Sequence, residues 1–459
     1  MLTFLIPGVR VWAGGESVQF LGIDIGSTFL KCGLLSPQTH TVTQVRTVSS
    51  PGSLPADHPR HFVCDARQYV RLVTRLIEET VRACQQDIGV ILSTQMHGFV
   101  AEDRYISWQD SRCLEDMEDG VSYLDYMKSR VPPEEMRRCG VYCKPSLGVC
   151  NLFAKQHQEG RLDADLEIFT LGSYILHQLT GRNCCHITNA APLGFADVEK
   201  KQWDLPLFQR FGLSGLRLPQ IVQEDYAPCG QCTVGGHTVT FYPDYGDQQA
   251  SLLGSGADGS AAVINIATAS QLITFSPTSD YGSYEVRPYW DGGYIKVLSN
   301  MPGGRALQVL TGLIRDVGRS IYHQDMDDAG VFAGIAALPP VPPQRLTVDL
   351  SFYPTYDRFD GGSISHIDPE NLTVGTLFAA AYESMAESYR AGFERLLRRR
   401  PERVVCMGGA ARKNTRLRES IEAALECPCC LPESEDEVLM GLLHIAERIH
   451  AEQQTGGAV

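Results

Sequence analysis

The sequence predicts an α/β protein that contains two similar domains. Short apolar stretches that are typical of strands alternate with longer segments in which apolar residues recur at helical spacing. In addition, a strand pair joined by a small polar turn occurs near residue 25 and again near residue 267. We therefore expect a tail over 1–18, a first domain over 19–255, a second domain over 256–455 and a cleft between the domains.

The first strand pair carries polar groups at its turn. Residues 18–25 (VQFLGIDI) and 29–36 (FLKCGLLS) are apolar enough for buried strands, and Gly26, Ser27 and Thr28 connect them. Small residues let the main chain approach a phosphate, and Asp24 at the strand end can hold Mg²⁺ through water. The residues alone leave a simple capped turn open as the alternative.

The remainder of the first domain alternates helices and strands. Asp65 is placed to cap a helix whose apolar face comprises Tyr69, Leu72, Val73, Leu76, Ile77, Val81 and Cys84. A strand over 88–93 follows and ends at TQMHG. Helical patterns then dominate 114–182, and HTVTFY at 237–242 predicts another strand.

A single carboxylate, Asp247, stands in YGDQQASLLG between a glycine and two glutamines, where an apolar helix is predicted to begin. A carboxylate at such a position suits a catalytic base, and it also suits a helix cap. The helix N-terminus favours the ionised form of the acid. Both roles remain open on these residues alone.

The second half repeats the pattern of the first. Residues 261–275 (AAVINIATASQLITF) predict two strands around a small polar turn. They precede a long helix over 373–398, a strand over 403–407, a glycine turn, and helices over 414–426 and 434–449.

Charge and composition exclude several classes of partner. The formal net charge of −14 opposes binding to nucleic acid and to anionic membranes, and no apolar run approaches the roughly 20 residues of a membrane span. The 15 cysteines are scattered and follow no secretory signal, so we expect reduced thiols and a cytoplasmic protein. For the CxxC pairs Cys229/Cys232 and Cys427/Cys430 we prefer buried thiols to a zinc site.

Two common nucleotide motifs do not account for the chain. It contains no GxxxxGK[ST] loop. The GxGxxG formed by Gly254, Gly256 and Gly259 follows a predicted helix and precedes a strand, which is the reverse of the dinucleotide-binding order. We therefore interpret it as a loop.

Six short motifs in order provide a more specific signal. They are DIGST at Asp24, QMHG at Gln95, WQDSR at Trp108, GDQQA around Asp247, NIATASQ at Asn265 and GGAARKN at Gly408. With these motifs the chain resembles the FGGY family of carbohydrate kinases over residues 19–449. That family belongs to the actin, Hsp70 and hexokinase superfamily, whose two domains are ribonuclease H-like.

The resemblance implies transfer of the γ-phosphoryl group of ATP to a sugar hydroxyl, with the sugar in the first domain and adenosine in the second. It implies that Asp247 is the catalytic base and that Asp24 organises Mg²⁺. Residues implied to contact ATP or its phosphates are Gly26, Ser27, Thr28, Thr268, Gly408, Gly409 and Asn414.

For the sugar, the resemblance implies contacts from Gln95, Met96, His97, Trp108, Asp110, Asp247 and Gln248. Trp108 either stacks on the sugar or packs in the core. Asp110 bonds either to sugar hydroxyls or to Arg112, which is close in sequence.

The identity of the sugar depends on finer similarity. QMHG is typical of xylulokinase-like members, whereas WQDSRC and the pattern over 265–272 are most similar to sedoheptulokinase-like members. Both act on the terminal hydroxyl of a ketose, and we expect the seven-carbon ketose. A catalytically inactive sugar sensor and a chaperone- or filament-type ATPase are the alternatives, and a monomer or homodimer is expected.

Three positions depart from the family pattern. The usual glycine of the second phosphate turn is Ala267, the third adenosine glycine is Ala410, and the usual GER is replaced at 356–358. A methyl group at 267 is compatible with the turn if φ stays negative.

Overall fold

The computed structural model describes residues 20–160, 165–353, 361–397 and 400–456. The predicted tail over 1–18 and the segment 356–358 lie outside the described residues. The chain forms two compact units. Unit 1 comprises the chain up to Gly254 together with 287–292 and 436 onwards, and unit 2 comprises 255–286 and 293–435.

The strands of the described residues are numbered in chain order. They are β1 Phe20–Ile25, β2 Phe29–Ser36, β3 Thr41–Ser49, β4 Val63–Asp65, β5 Ile88–Thr94, β6 Phe99–Ala101, β7 Arg104–Ile106, β8 Cys184–Cys185, β9 Ala196–Asp197, β10 Gln202–Trp203, β11 Gln220–Ile221, β12 Gly230–Val234, β13 His237–Gly246, β14 Ala261–Ile266, β15 Ser270–Ser276, β16 Glu285–Pro288, β17 Tyr294–Met301, β18 Thr347–Asp349, β19 Ser363–Ser365, β20 Arg403–Met407 and β21 Cys429–Cys430.

The α-helices are numbered in the same way. They are α1 Ala66–Cys84, α2 Tyr123–Arg130, α3 Pro133–Arg138, α4 Gly148–Gln158, α5 Leu171–Thr180, α6 Ile187–Leu193, α7 Leu205–Arg210, α8 Asp247–Gly254, α9 Gly304–Tyr322, α10 Asp328–Ala337, α11 Val374–Leu396, α12 Gly409–Lys413, α13 Thr415–Leu425 and α14 Glu437–Gly456.

The sheet of unit 1 has the strand order β12-β13-β5-β1-β2-β3. Strand β5 lies between β1 and β13 and is parallel to both. Strands β1 and β2 form the predicted antiparallel pair, in which Ile25 lies opposite Leu30. Asp65 caps α1 as predicted, because its carboxylate accepts a hydrogen bond from the Arg67 amide. Helices α1 and α5 contribute to the core on one face of this sheet.

A second cluster of buried residues packs α14 against the sheet of unit 1. It brings Leu439, Leu442 and Leu443 of α14 together with Phe20 of β1 and Tyr245 of β13. Apolar residues on both faces therefore bury the strands of this sheet, which explains why they read as continuous apolar runs in the sequence.

Unit 2 repeats the arrangement. Its sheet has the order β16-β17-β15-β14-β20-β21, with β14 antiparallel to β15 and parallel to β20. Helices α11 and α13 supply most of the helical residues in its core. The predicted α/β class with two similar units is therefore confirmed.

The position of the last helix was not predicted from the sequence. Helix α14 belongs to compact unit 1, although the chain reaches it after unit 2. The predicted family domains 19–255 and 256–455 stay a prediction. Within the residues described, no helix combines the length and apolar composition that a membrane span requires.

Candidate active site

Three neighbouring parallel strands of unit 1 end at one edge of the sheet. Ile25 at the end of β1 is paired with Thr94 of β5, and Thr94 is paired with Gly246 of β13. Parallel strands that end in register place the residues that follow them side by side. The fold thereby brings together Asp24, Gln95 and Asp247, which are distant in the sequence.

Asp247 is the first residue of α8 and follows β13 directly. Its Oδ1 accepts a hydrogen bond of 2.8 Å from the Gln248 amide. Burial raises the pKa of Asp247 to about 6, although the Gln248 amide and the charge of Arg287 both lower it. The helix N-terminus was expected to keep this acid ionised, and burial opposes that effect, but a pKa of about 6 still leaves the carboxylate mostly ionised at neutral pH.

The residue before Asp247 has no space for a side chain. A Cβ atom on Gly246 would lie 2.5 Å from Met96 Sδ and 2.7 Å from Gln249 Oε1. These distances are shorter than any van der Waals contact, so the side chains of Met96 and Gln249 would have to move to accommodate a larger residue. Met96 therefore lies against this backbone at the strand end, where an apolar wall was predicted.

Asp24 lies at the end of β1 among other carboxylates. Its Oδ1 accepts a hydrogen bond of 3.2 Å from Ser93 Oγ. Burial raises the pKa of Asp24 to about 7, with further increases from the charges of Asp247 and Asp436. A divalent cation binds carboxylate oxygens and would relieve this repulsion, so the donor set fits Mg²⁺.

Asp436 is a candidate site residue that the sequence pattern did not indicate. It lies just before α14, its Oδ2 bonds to Lys31 Nζ at 3.0 Å, and its Oδ1 accepts the Leu439 amide at 3.2 Å. Its sequence position is that of an ordinary helix cap. Only the packing of α14 on unit 1 brings its charge close enough to raise the pKa of Asp24.

The QMHG segment follows β5. The Gln95 amide donates to Ile25 O at 2.9 Å, and its Nε2 donates to Gly26 O at 3.4 Å. The buried Gln95 Oε1 has no hydrogen-bond partner among the described residues. His97 Nδ1 lies 3.1 Å from Pro192 O, and because a carbonyl can only accept, Nδ1 carries a proton.

Trp108 and Asp110 have different surroundings. The Trp108 side chain is 41% exposed, so the core-packing alternative for this residue is wrong. Asp110 is fully buried and binds Arg112 through both carboxylate oxygens at 2.9 and 2.8 Å, and it also accepts the Phe62 amide at 2.8 Å. These contacts match the ion-pair alternative for Asp110, because both of its carboxylate oxygens accept hydrogen bonds from Arg112 and one also accepts the Phe62 amide.

Part of the first predicted phosphate turn already forms hydrogen bonds within the protein. The Gly26 amide, which was expected to face phosphate, donates to Phe29 O at 3.0 Å and closes the turn. Ser27 and Thr28 are exposed, and the Thr28 carbonyl accepts the Ser50 amide at 3.0 Å. The groups of this turn that can approach a ligand are therefore those of Ser27 and Thr28.

In unit 2, the second polar turn lies beside the glycine pair. Asn265 of β14 is paired with Met407 of β20, so the turn around Thr268 and the start of α12 share one edge of the sheet. A Cβ atom on Gly408 would lie 2.5 Å from Ile266 O, whereas Gly409 has open space. The edge of unit 2 thus corresponds to that of unit 1.

Two other residues of this edge have identified contacts. Asn414 caps α13 by accepting the Leu417 amide at 3.1 Å. Ala267 is exposed and does not have a positive φ, so the methyl group that replaces the family glycine causes no backbone strain.

A cavity of about 470 Å³ lies in unit 2 between α11 and α13. Its lining includes Pro340, Tyr382, Glu387 and Arg416. The predicted nucleotide residues Thr268, Gly408, Gly409 and Asn414 do not line it.

In the described parts of the chain, no cysteine belongs to a cluster of three side chains that could bind a metal ion. All 15 cysteines are unpaired thiols. The two clusters of three metal-ligating side chains in these parts consist of histidine and glutamate and contain no cysteine. Among the CxxC cysteines, Cys229 and Cys427 are buried, and Cys232 and Cys430 are half-buried.

Comparison with known proteins gives the site its context. Residues 19–254 match the profile described as the N-terminal domain of the FGGY family of carbohydrate kinases. The sedoheptulokinase of Mus musculus is 23% identical over an alignment that covers 93% of this chain and 97% of the relative. The xylulose kinase of Escherichia coli K12 is 24% identical over 54% of this chain and 53% of the relative.

A solved structure extends the similarity to the complete fold. The crystal structure of Plasmodium falciparum glycerol kinase with ADP superimposes with a TM-score of 0.76 and 14% sequence identity. The match covers 96% of this chain and 93% of that structure. Both units therefore share the two-domain fold of that enzyme.

Proposed function

Because the chain belongs to the FGGY family of carbohydrate kinases, we propose that it phosphorylates the terminal hydroxyl of a ketose with ATP, and that the ketose is sedoheptulose. Membership of the family makes the chain a phosphotransferase with an alcohol group as acceptor. The product would be sedoheptulose 7-phosphate, and xylulose is the alternative acceptor.

One observation carries this proposal more than any other. The ends of β1, β5 and β13 in register bring a carboxylate with a pKa of about 6, Asp247, next to a second carboxylate, Asp24, and to an unpaired amide oxygen of Gln95. Phosphoryl transfer to a sugar requires a base, a ligand for the cation and a group that accepts a hydrogen bond from a sugar hydroxyl.

In the proposed reaction, Asp247 accepts the proton of the attacking hydroxyl while that oxygen forms its bond to the γ-phosphorus. The bond from the γ-phosphorus to the bridging oxygen breaks, and ADP leaves. A positioned base typically contributes about 10²- to 10⁴-fold, and orientation and charge stabilisation contribute the larger share. Asp24 would hold Mg²⁺, which supplies positive charge to the phosphates when bound.

We assign the sugar contacts to Gln95, Met96, His97, Trp108 and Gln248, together with Asp247. Gln95 Oε1 can accept a hydrogen bond from a sugar hydroxyl, and exposed Trp108 can stack on an apolar sugar face. Asp110 is omitted from this set because Arg112 and Phe62 occupy its carboxylate oxygens.

We assign the nucleotide to unit 2, with Ser27 and Thr28 of unit 1 as further phosphate contacts. Thr268 would face phosphates, and Gly408, Gly409 and Asn414 would border adenosine. The similar glycerol kinase was solved with ADP, which supports a nucleotide ligand for this fold.

The preference for sedoheptulose depends on the mouse sedoheptulokinase, whose similarity extends over nearly the whole chain. The similarity to xylulose kinase covers about half of it. We place the protein in the cytoplasm because its unpaired thiols suit a reducing compartment, and we expect a monomer or homodimer.

The test is coupled ADP release from Mg²⁺-ATP with sedoheptulose, xylulose, ribulose, fructose and glycerol offered separately. We expect sugar-dependent turnover with the highest kcat/KM for sedoheptulose. A higher kcat/KM for xylulose would replace sedoheptulose with the alternative, and ATP hydrolysis that no acceptor stimulates would contradict the kinase assignment.

A further inference from the structure

A series of buried hydrogen-bonded side chains in unit 1 holds the end of β13, the strand that leads directly to Asp247. The Gly246 amide donates to Thr188 Oγ1 at 3.0 Å, and Thr188 Oγ1 lies 2.8 Å from His186 Nδ1. His186 Nε2 lies 3.1 Å from Asp225 Oδ1. His186 and Thr188 are fully buried at the start of α6, so these groups have no access to water as a substitute partner.

Chemistry fixes the direction of each hydrogen bond. Because an amide can only donate, Thr188 Oγ1 accepts from Gly246, and its own proton is then available for His186 Nδ1. The Thr188 amide also points to His186 Nδ1 at 3.3 Å, so this nitrogen must be an acceptor. His186 is therefore neutral with its proton on Nε2, which donates to Asp225, and burial lowers the pKa of His186 in agreement with this state.

The far end of the chain is anchored by charge and by the same strand. Lys201 Nζ donates to Asp225 Oδ1 at 2.6 Å, and the Asp291 amide donates to Asp225 Oδ2 at 3.0 Å. The Tyr245 hydroxyl donates to Asp225 O at 2.7 Å. Tyr245 and Gly246, the two residues before Asp247, are thus both tied to Asp225, one directly and one through His186 and Thr188.

Ring packing limits the movement of the histidine. Its ring centroid lies 5.0 Å from that of Tyr245 and 6.2 Å from that of Trp290, and the Trp290 ring is nearly parallel to it, at 22°. The imidazole is therefore held on the line between Asp225 and Thr188. The side chains of Met96 and Gln249 lie close to Gly246, since a Cβ atom there would be 2.5 and 2.7 Å from them.

From this geometry we propose that His186 and Thr188 are positioning residues for the reaction: the chain Asp225–His186–Thr188 fixes the Gly246 amide and thereby directs the carboxylate of Asp247 at the acceptor hydroxyl. This inference rests on the proposed function, since it assumes that Asp247 is the base. The hydroxyl of Thr188 contributes directed hydrogen bonds rather than packing volume. Valine fills the same space but lacks the hydroxyl.

Three variants of the full chain test the proposal in the ADP-release assay with sedoheptulose. Thr188→Val removes the hydroxyl, Thr188→Ser keeps it, and Thr80→Val is the matched control. Thr80 is also buried in unit 1, but its hydroxyl donates only to Leu76 O in its own helix, at 2.8 Å.

We expect Thr188→Val to lower kcat by about tenfold to 10²-fold with the KM for ATP unchanged, since a displacement of about 1 Å at a reacting group can cost 10²-fold. Thr188→Ser should retain kcat within about threefold, and Thr80→Val should match the wild type. If Thr188→Val does not show cooperative melting, His186→Gln replaces it, with the same expected loss of kcat.

A Thr188→Val enzyme with wild-type kcat, or a Thr188→Ser or Thr80→Val enzyme that loses as much as Thr188→Val, would overturn the positioning role. Asp247→Asn in the same assay separates the two claims. If Asp247→Asn is inactive and Thr188→Val is fully active, the positioning proposal fails alone, whereas an active Asp247→Asn enzyme removes the role of Asp247 as the base, on which the positioning proposal rests.

Discussion

At the residue scale, burial gives Asp247 a pKa that lies within the working pH range of an enzyme. The pKa of about 6 arises mainly from desolvation, which the Gln248 amide and Arg287 offset only in part. A base works only when it is ionised, so activity should rise with pH through this value and then level off.

We therefore expect kcat/KM for the sugar, measured between about pH 5 and 8, to increase about fivefold from pH 5 to pH 6 and to approach a plateau above pH 7. The control is Asp87→Asn, which changes an exposed carboxylate of the same unit and should leave the profile unaltered. A wild-type profile that is flat between pH 5 and 7 would show that no such base limits the reaction.

The same residues show how far sequence reasoning reaches at this scale. Asp24, Gln95 and Asp247 were found because each lies at the end of a strand or directly after it in a recognisable motif, and the fold brings them together. Asp436, His186 and Thr188 were missed because their local patterns are those of ordinary caps and turns. Their roles arise from contacts between segments that no periodicity connects.

At the element scale, α8 holds Asp247 in place by close packing on α14. A Cβ atom on Gly441 would lie 1.9 Å from Ala250 O, and one on Gly254 would lie 1.8 Å from Glu437 O. The two helices therefore touch backbone to backbone, and neither position has space for a methyl group. The helix periodicity of 434–449 predicted that α14 exists but not which surface it covers.

The substitution Gly441→Ala should separate these helices and lower the free energy of unfolding by about 1–3 kcal/mol, because overpacking forces the backbone apart. Since α8 begins at Asp247, kcat should fall as well. Denaturant unfolding and the ADP-release assay measure the two effects. Gly52→Ala, where a methyl group would meet nothing within 4 Å, should change neither quantity, and equal effects of the two substitutions would contradict the packing argument.

At the scale of the whole molecule, the repeated strand pair predicted the α/β class and the similarity of the two units. It did not predict α9, α10 or the strands between 285 and 365, although α9 carries apolar residues at helical spacing, among which Ala306, Leu307 and Leu310 are buried. Nor could it show that the last helix joins the first unit, because local sequence reports the burial of a helix face without identifying the partner. The six ordered motifs nevertheless indicated the family.

The assignment of sugar to unit 1 and nucleotide to unit 2 makes the role of Asp247 separable from ATP binding. Asp247→Asn keeps the size of the side chain and the start of α8 but removes the basic carboxylate. Loss of a general base typically costs about 10²- to 10⁴-fold.

The most direct measurement is sedoheptulose-dependent ADP release by Asp247→Asn together with calorimetric binding of ATP to the same protein. We expect turnover to fall at least about 10²-fold while the Kd for ATP stays within about threefold of the wild type. An Asp247→Asn enzyme that turns over sedoheptulose at the wild-type rate would contradict it.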